Sequence, residues 1–285
     1  MKIYSHDDPA LRPLLGKISR YARQAEVMGM PYWVLVEDSN PLGLVAIGRE
    51  PVQLLAPPGT PMAMIYLIDA NQPDERMAEF TSKALSLARE RAVEYALALF
   101  PSKEEAAIAK FKELGFRELD DAYQMICPLD RAYETSGILR FERVRRGEMR
   151  RFLELAATFL RGSPDVMLGK ALEHLLEVPD RFLDFFYAHE SFFFARKEGA
   201  AVGIINFSIN EGVISNIGVH PQHRGKGYGR QIMLFGLARL REGGREQARL
   251  RVHVKNEPAI RLYESLGFIK ADRYKTLIWR RPAKT

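Results

Sequence analysis

The sequence predicts an α/β protein made of two consecutive copies of one domain, and three observations predict it. With 285 residues, 47% of them hydrophobic, the chain can fill two separate cores. Strand-like and helix-like runs follow one another in the same order in both halves. The two halves also match at a fixed offset of 152 residues, from position 114 to position 266. That shift aligns Leu85 with Leu237, Arg89 with Arg241 and Glu90 with Glu242. It also aligns Ala107-Ile108 with Ala259-Ile260, and Leu114-Gly115-Phe116 with Leu266-Gly267-Phe268, with no gap between these points.

In the first half, alternating apolar runs rich in β-branched and aromatic residues predict strands over 32–37, 42–48 and 62–69. A 3.6-residue apolar period predicts a helix over 75–91, and a strand over 94–100, a helix over 103–114 and a strand over 123–128 follow. The segment DRAYETSGI at 130–138 is polar and unpatterned and reads as a linker. The expected domains are therefore 1–130 and 131–285. The second half opens with two helices, 148–160 and 166–177, then strands over 191–196, 201–208 and 212–220. A helix over 227–242 is stopped by Gly243-Gly244. A strand over 249–254, a helix over 257–266 and a strand over 274–280 complete it. The aromatic clusters at 185–187 and 192–194 read as core strands in preference to a pocket lining.

Composition removes several function classes. The net charge of +6 is spread along the chain without a run of five basic residues. The densest stretch, RVRRGEMRR at 143–151, reads as the exposed start of a helix, which argues against a nucleic-acid surface. The longest apolar runs, such as 95–100, fall far short of a membrane span, and the start MKIYSHDDPALRP has no apolar signal core. A cytoplasmic protein, monomer or homodimer, is expected. Cys127 is the single cysteine, at an alternate position of AYQMICPL, and reads as a packed strand residue in preference to a catalytic thiol. The six histidines form no metal pattern with it, so no metal is expected.

The chemistry concentrates in VHPQHRGKGYGR, 219–230, which leaves a strand and enters a helix. Glycines at 225, 227 and 229 open backbone angles closed to other residues and clear the approach to the main chain. Successive amide N–H groups can then converge on one spot, joined by the unpaired N–H groups and positive dipole end of the following helix. That is a diphosphate cradle, with Arg224 and Lys226 adding charge. A Walker loop is excluded because no Gly-Lys-Ser/Thr follows four spacers. A dinucleotide fingerprint would need glycine where Arg230 stands, and would start nearer the strand end.

What remains is R-x-x-G-x-G following V-x-P. Arg224-Gly225-Lys226-Gly227-Tyr228-Gly229 resembles the acyl-CoA pyrophosphate loop of the GNAT superfamily, and NEPAIRLYESLGF at 256–268 resembles that family's second signature segment. The resemblance implies two tandem GNAT-like domains, each a mixed, mostly antiparallel twisted sheet flanked by helices. It implies that the backbone of Ile217, Gly218 and Val219 pairs with the pantetheine arm, in a gap where this strand splays from the next. It further implies that the amides of Gly225, Lys226, Gly227, Tyr228, Gly229 and Arg230 hold the pyrophosphate and that Asn256 hydrogen-bonds the cofactor. Tyr263 matches the general acid that protonates the departing thiolate; its bland alternative is an aromatic packed beside Leu262 and Leu266. A phenol near pKa ~10 can donate to a thiolate whose acid lies near ~8.5 at small cost. For the base two candidates stand, Glu211 just before the 212–220 strand and His253 on the next strand, each also readable as a solvated polar residue.

At the same offset the first half carries Gln72-Pro73-Asp74-Glu75-Arg76-Met77, with no glycine, one missing N–H and two anionic side chains. Glu104 replaces Asn256 and Phe111 replaces Tyr263. The first domain is therefore expected to lack the CoA loop. The expected function is an acetyl-CoA-dependent N-acetyltransferase acting by direct transfer on a primary amine of a small molecule or peptide. The alternative is a non-catalytic acyl-CoA-binding or sensing module.

Overall fold

The computed structural model describes residues 1–69 and 74–282. The chain begins with β1 (Lys2–Ser5), α1 (Leu15–Val27), β2 (Tyr32–Glu37), β3 (Asn40–Arg49) and β4 (Pro61–Leu67). It continues through α2 (Asp74–Glu90), β5 (Tyr95–Pro101), α3 (Glu105–Glu113) and β6 (Arg117–Pro128). The second half comprises β7 (Arg140–Arg143), α4 (Met149–Phe159), α5 (Val166–Glu173), α6 (Asp180–His189), β8 (Ser191–Lys197) and β9 (Ala200–Ser208). It ends with β10 (Val213–Val219), α7 (Tyr228–Glu242), β11 (Gln247–His253), α8 (Glu257–Glu264) and β12 (Ile269–Arg280).

From the fourth strand onward the strands repeat residue for residue. β4 and β10, β5 and β11, and β6 and β12 start and end 152 positions apart (213 − 61, 247 − 95 and 269 − 117). The elements that sequence periodicity did not single out are β1, α1, α6 and β7, all short or mixed in pattern. The cluster at 185–187 is helical, not a strand: it lies in α6, with Phe185 and Phe186 exposed. The cluster at 192–194 does form strand β8, with Phe192 and Phe194 buried.

The chain forms two compact units, Met1–Asp121 with Arg273–Thr285, and Ala122–Asp272. These differ from the division expected at 130/131, because the last strand of each sequence half crosses over. In the first unit β1, β2, β3 and β4 are antiparallel neighbours, β4 and β5 run parallel, and Tyr274–Arg280 of β12 lies antiparallel on β5. In the second unit β7, β8, β9 and β10 are antiparallel, β10 meets β11 in parallel, and Ala122–Pro128 of β6 lies antiparallel on β11. Both sheets are thus mixed and mostly antiparallel. Period-two alternation sends side chains to opposite faces, so each sheet has two cores. In the second unit Ile205, Phe207, Leu250 and Val252 meet Ile232 and Leu237 of α7 on one face. Ile204 and Phe194 meet Phe152 and Phe159 of α4 and Leu183 of α6 on the other.

Segment 130–138 has no regular structure but is tied to the second unit. Arg131 Nη2 donates to Leu266 O at 2.7 Å, and Ser136 N–H donates to Gln231 Oε1 at 2.7 Å. Cys127 is buried in β6, and burial pushes its thiol up. Among the described residues no helix is long and apolar enough to cross a membrane.

Candidate active site

The candidate site is built around the end of β10. β10 pairs with β9 along its length, with a bulge between Ile214 and Asn216. Among the described residues it meets β11 at the single register pair Val213↔Arg249, backed by Arg249 N–H donating to Gly212 O at 2.8 Å. Beyond that point the two strands part. His220 N–H donates to Val202 O at 2.9 Å, which fixes which residues face β9. By the two-residue alternation of an antiparallel ladder, the main-chain groups of Ile217 and Val219 point away from β9, into the gap beside β11.

The turn after β10 has the conformation its glycines require. Gly225 and Gly227 have φ of +77° and +79°, and a Cβ at either would meet nothing within 4 Å. They are glycine for backbone angle and open approach, not for packing. Gly227 is the N-cap of α7 and no side chain caps that helix, so its first N–H groups face outward at the positive end of the dipole. Gly229 differs: a Cβ there would lie 3.3 Å from Leu262 of α8, so glycine lets α7 close on α8. Gly218 likewise serves packing, since a Cβ there would lie 2.9 Å from the Phe159 Cβ of α4.

The basic residues divide by role. Lys226 is exposed on the loop. His223 is held below its ordinary pKa, first by desolvation and then by the charges of Lys226, His220 and Lys197. Lys197 therefore adds to the positive field, although the sequence did not single it out. Arg224, in contrast, is engaged by the protein. Its Nη2 donates to Phe159 O at 2.9 Å and its Nε to Val219 O at 3.3 Å, pinning the end of α4 to the end of β10. Arg230 Nη1 donates to Ser265 Oγ at 3.1 Å. The Tyr228 ring is buried in the core, so only its backbone is available to the loop.

Asn256 is the N-cap of α8, its Oδ1 accepting from Ala259 N–H at 3.4 Å. Tyr263 lies on α8 in the core beside Phe268, and burial pushes its phenol up to about 12. Of the two base candidates, Glu211 lies at the far end of β10 from the loop. Glu211 precedes β10 while the loop follows it, so the whole strand separates them; Glu211 is exposed, and its carbonyl accepts from Arg249 Nη2 at 2.7 Å. His253 is buried, and its Nδ1 accepts from Lys255 N–H at 3.1 Å.

The face of the sheet under α4, α5 and α6 is polar where the strands part. Arg251 Nη1 pairs with Asp165 Oδ2 at 2.6 Å, while Asp165 Oδ1 accepts from Leu168 N–H at 2.9 Å and caps α5. Glu190, at the end of α6, accepts from Ser215 Oγ at 2.9 Å and from Asn206 Nδ2. No sequence motif marks Glu190; it stands between a helix and a strand that periodicity resolved only in part. Among the described residues no group of three or more His, Cys, Asp or Glu could hold a metal ion.

Comparison with known proteins agrees with this geometry. The model of the acetyltransferase (GNAT) family matches residues 159–268. A mycothiol acetyltransferase of Thermobispora bispora is 40% identical over 88 residues, 28% of this chain and 30% of that protein. One from Nocardiopsis dassonvillei is 46% identical over 61 residues, 21% of this chain and 18% of that protein. The chain thus spans less than a third of either relative. Over the whole chain the likeness is one of fold. A GCN5-related N-acetyltransferase from Sphaerobacter thermophilus superposes with a TM-score of 0.65 at 15% identity, covering 99% of this chain and 97% of that one. A tandem GNAT protein from the clavulanic acid biosynthesis pathway does so with the same score and identity, covering 99% of each. The fold that the resemblance implies, two tandem GNAT-like domains, is the fold these neighbours share with the chain.

Proposed function

We propose that this chain, whose residues 159–268 match the model of the acetyltransferase (GNAT) family, is a member of that family and an acetyl-CoA-dependent N-acetyltransferase with one acetyl-CoA site. The observation that carries the reading is the parting of β10 from β11 after Val213↔Arg249, at the foot of the glycine loop. An extended arm ending in a diphosphate fits both features at once: amides and Lys226 for the diphosphate, and the inward-facing main chain of Ile217 and Val219 for the arm. The Asn256 side-chain NH2 is left for the cofactor by a cap that uses only its Oδ1.

Transfer is direct. The amine nitrogen attacks the thioester carbonyl, polarised by a main-chain amide of β10 that faces the gap, and the C–S bond breaks with its electron pair on sulfur. Tyr263 donates its proton to that sulfur. A phenol held up to about 12 by burial stays protonated throughout the neutral range. Burial moves a thiol beside it in the same direction, which keeps the transfer from becoming steeply uphill.

The acceptor is a primary amine of a small molecule or peptide; the relatives named mycothiol acetyltransferase favour a small molecule. We assign the first unit, Met1–Asp121 with Arg273–Thr285, a supporting role without a CoA site of its own, and the CoA site to the second unit, which carries the glycine loop. The lone buried thiol of Cys127 suits the reducing cytoplasm. Calorimetry with acetyl-CoA and NAD, paired with a CoA-release assay, tests the reading. One acetyl-CoA per chain, no NAD binding and amine-dependent CoA release are expected. Saturable NAD binding without CoA binding overturns it, and tight acetyl-CoA binding without turnover on any amine favours a sensing module.

A further inference from the structure

Glu190 is a half-buried carboxylate with no cation in ion-pair reach among the described residues. Asp165, in the same unit, is paired with Arg251, and Glu142 is paired with Arg196. Glu190 is instead fixed by two neutral donors, Ser215 Oγ at 2.9 Å and Asn206 Nδ2. Asn206 is 4% exposed, and its Oδ1 is buried with no hydrogen-bond partner among the described residues. A half-buried carboxylate held by neutral donors alone, beside one buried amide oxygen that has no donor, forms a site with room for a cationic N–H group.

Its location in the strand gives that site a meaning. Ser215 is the bulge residue of β10, two positions past the last pair with β11, where the gap opens. From Val219 back to Ser215 is four residues, about 13 Å of strand at ~3.3 Å per residue. An arm anchored by its diphosphate at the loop and lying along Val219 and Ile217 delivers its thioester to the Ser215 end. Asn206 stands directly across from Asn216 on β9, on the face covered by α4 and α6.

We propose that Glu190, positioned by Ser215 and Asn206, binds the acceptor's ammonium group and takes its proton, a role that rests on the acetyltransferase reading above. The ammonium R–NH3+ gives one proton to the Glu190 carboxylate, and the freed lone pair forms the C–N bond. The C–S bond breaks, sulfur takes the Tyr263 proton, and a second proton leaves the nitrogen to restore the phenol. Glu190 then releases its proton to water. Neither Glu211 nor His253 is needed as base.

Glu190→Gln keeps both neutral contacts in reach and removes the charge. The probes are glucosamine, an alanine dipeptide and 1,4-diaminobutane, with CoA release and acetyl-CoA calorimetry as readouts. Turnover with the best of these amines is expected to fall about 100-fold or more, the lower range for loss of a general base, while the acetyl-CoA Kd stays within about twofold, which also verifies the fold. Ser215→Ala should cost about tenfold, as loss of a hydrogen bond to a charged group. Turnover of Glu190→Gln within threefold of the parent overturns the proposal and leaves the acetyltransferase reading intact. Wild-type protein that binds acetyl-CoA but uses none of the three amines overturns the ammonium site. Failure to bind acetyl-CoA at all overturns the function itself.

Discussion

β4 with β5, and β10 with β11, are the same parallel pair 152 residues apart, and they part company in one respect. β4 and β5 are joined through five register pairs, from Met62↔Tyr95 to Tyr66↔Leu99. β10 and β11 share Val213↔Arg249 and then separate. The difference begins at the neighbouring ladder. β3 and β4 run in unbroken register from Gly43↔Leu67 to Arg49↔Pro61, whereas β9 and β10 slip at Ser215. A bulge bends its strand and increases local twist, which ends pairing on the far side. Side chains follow: Ala63 and Met64 stand where Ser215 and Asn216 stand in the second unit. One fold therefore gives a closed sheet or an opened one according to whether this strand carries a bulge.

The largest effect should come from the phenol that only one copy has. Tyr263→Phe is expected to lower turnover about 1,000-fold, within the range for loss of a positioned acid, with the acetyl-CoA Kd little changed. Its counterpart Phe111 is fully buried in the first unit's core beside Phe100 and Phe116. Phe111→Tyr should create no second activity, since no gap opens there. A CoA-release assay on both variants checks this. Unchanged turnover in Tyr263→Phe would remove Tyr263 from the mechanism.

Next in size is a contrast in amide protection. The amides of β4 between Met62 and Tyr66 lie in a ladder paired on both sides and should exchange slowly with or without acetyl-CoA. Those of Ile217 and Val219 face the gap and should exchange fast in the free protein. Acetyl-CoA at about 50 times its Kd should slow them about 50-fold, the factor set by binding to the closed form alone. Slow exchange at 217 and 219 before ligand is added would mean that the gap is not open in solution.

Much of this was legible in the sequence, and the misses have physical causes. The offset of 152 located the paired strands, because helix and strand lengths are fixed by periodicity and both halves kept them. The loop was legible because left-handed backbone at Gly225 and Gly227 leaves a glycine signature. Gly218 and Gly229 looked the same in sequence but are small for helix packing, which only neighbouring side chains reveal. The crossing of β6 and β12 was not legible, since a strand's pattern says which face is apolar and not which sheet it joins. The Glu190 contacts were missed for a similar reason: its partners are Asn206 and Ser215, 16 and 25 residues away.

The smallest effect separates the two kinds of glycine and returns to the loop. Gly227 holds φ +79° with open space around it, so Gly227→Val is limited by backbone strain alone. Left-handed backbone costs an L residue roughly 1–2 kcal/mol, and if the loop relaxes away from that angle its amides lose their convergence. The acetyl-CoA Kd should then rise about tenfold, the equivalent of 1.4 kcal/mol, with little change in Tm because the residue buries nothing. Gly229→Val should behave oppositely. Its side chain would press on Leu262 at 3.3 Å and wedge α7 from α8, so Tm should fall along with affinity. At the offset position of Gly227 the first unit carries Glu75, exposed in α2. Glu75→Gly should leave acetyl-CoA stoichiometry at one per chain, because a glycine without the bulge and the gap restores neither the arm's channel nor the cradle. A second binding event in that variant, seen by calorimetry, would mean that the closed β4–β5 ladder is no barrier, and that loop sequence alone decides which copy binds.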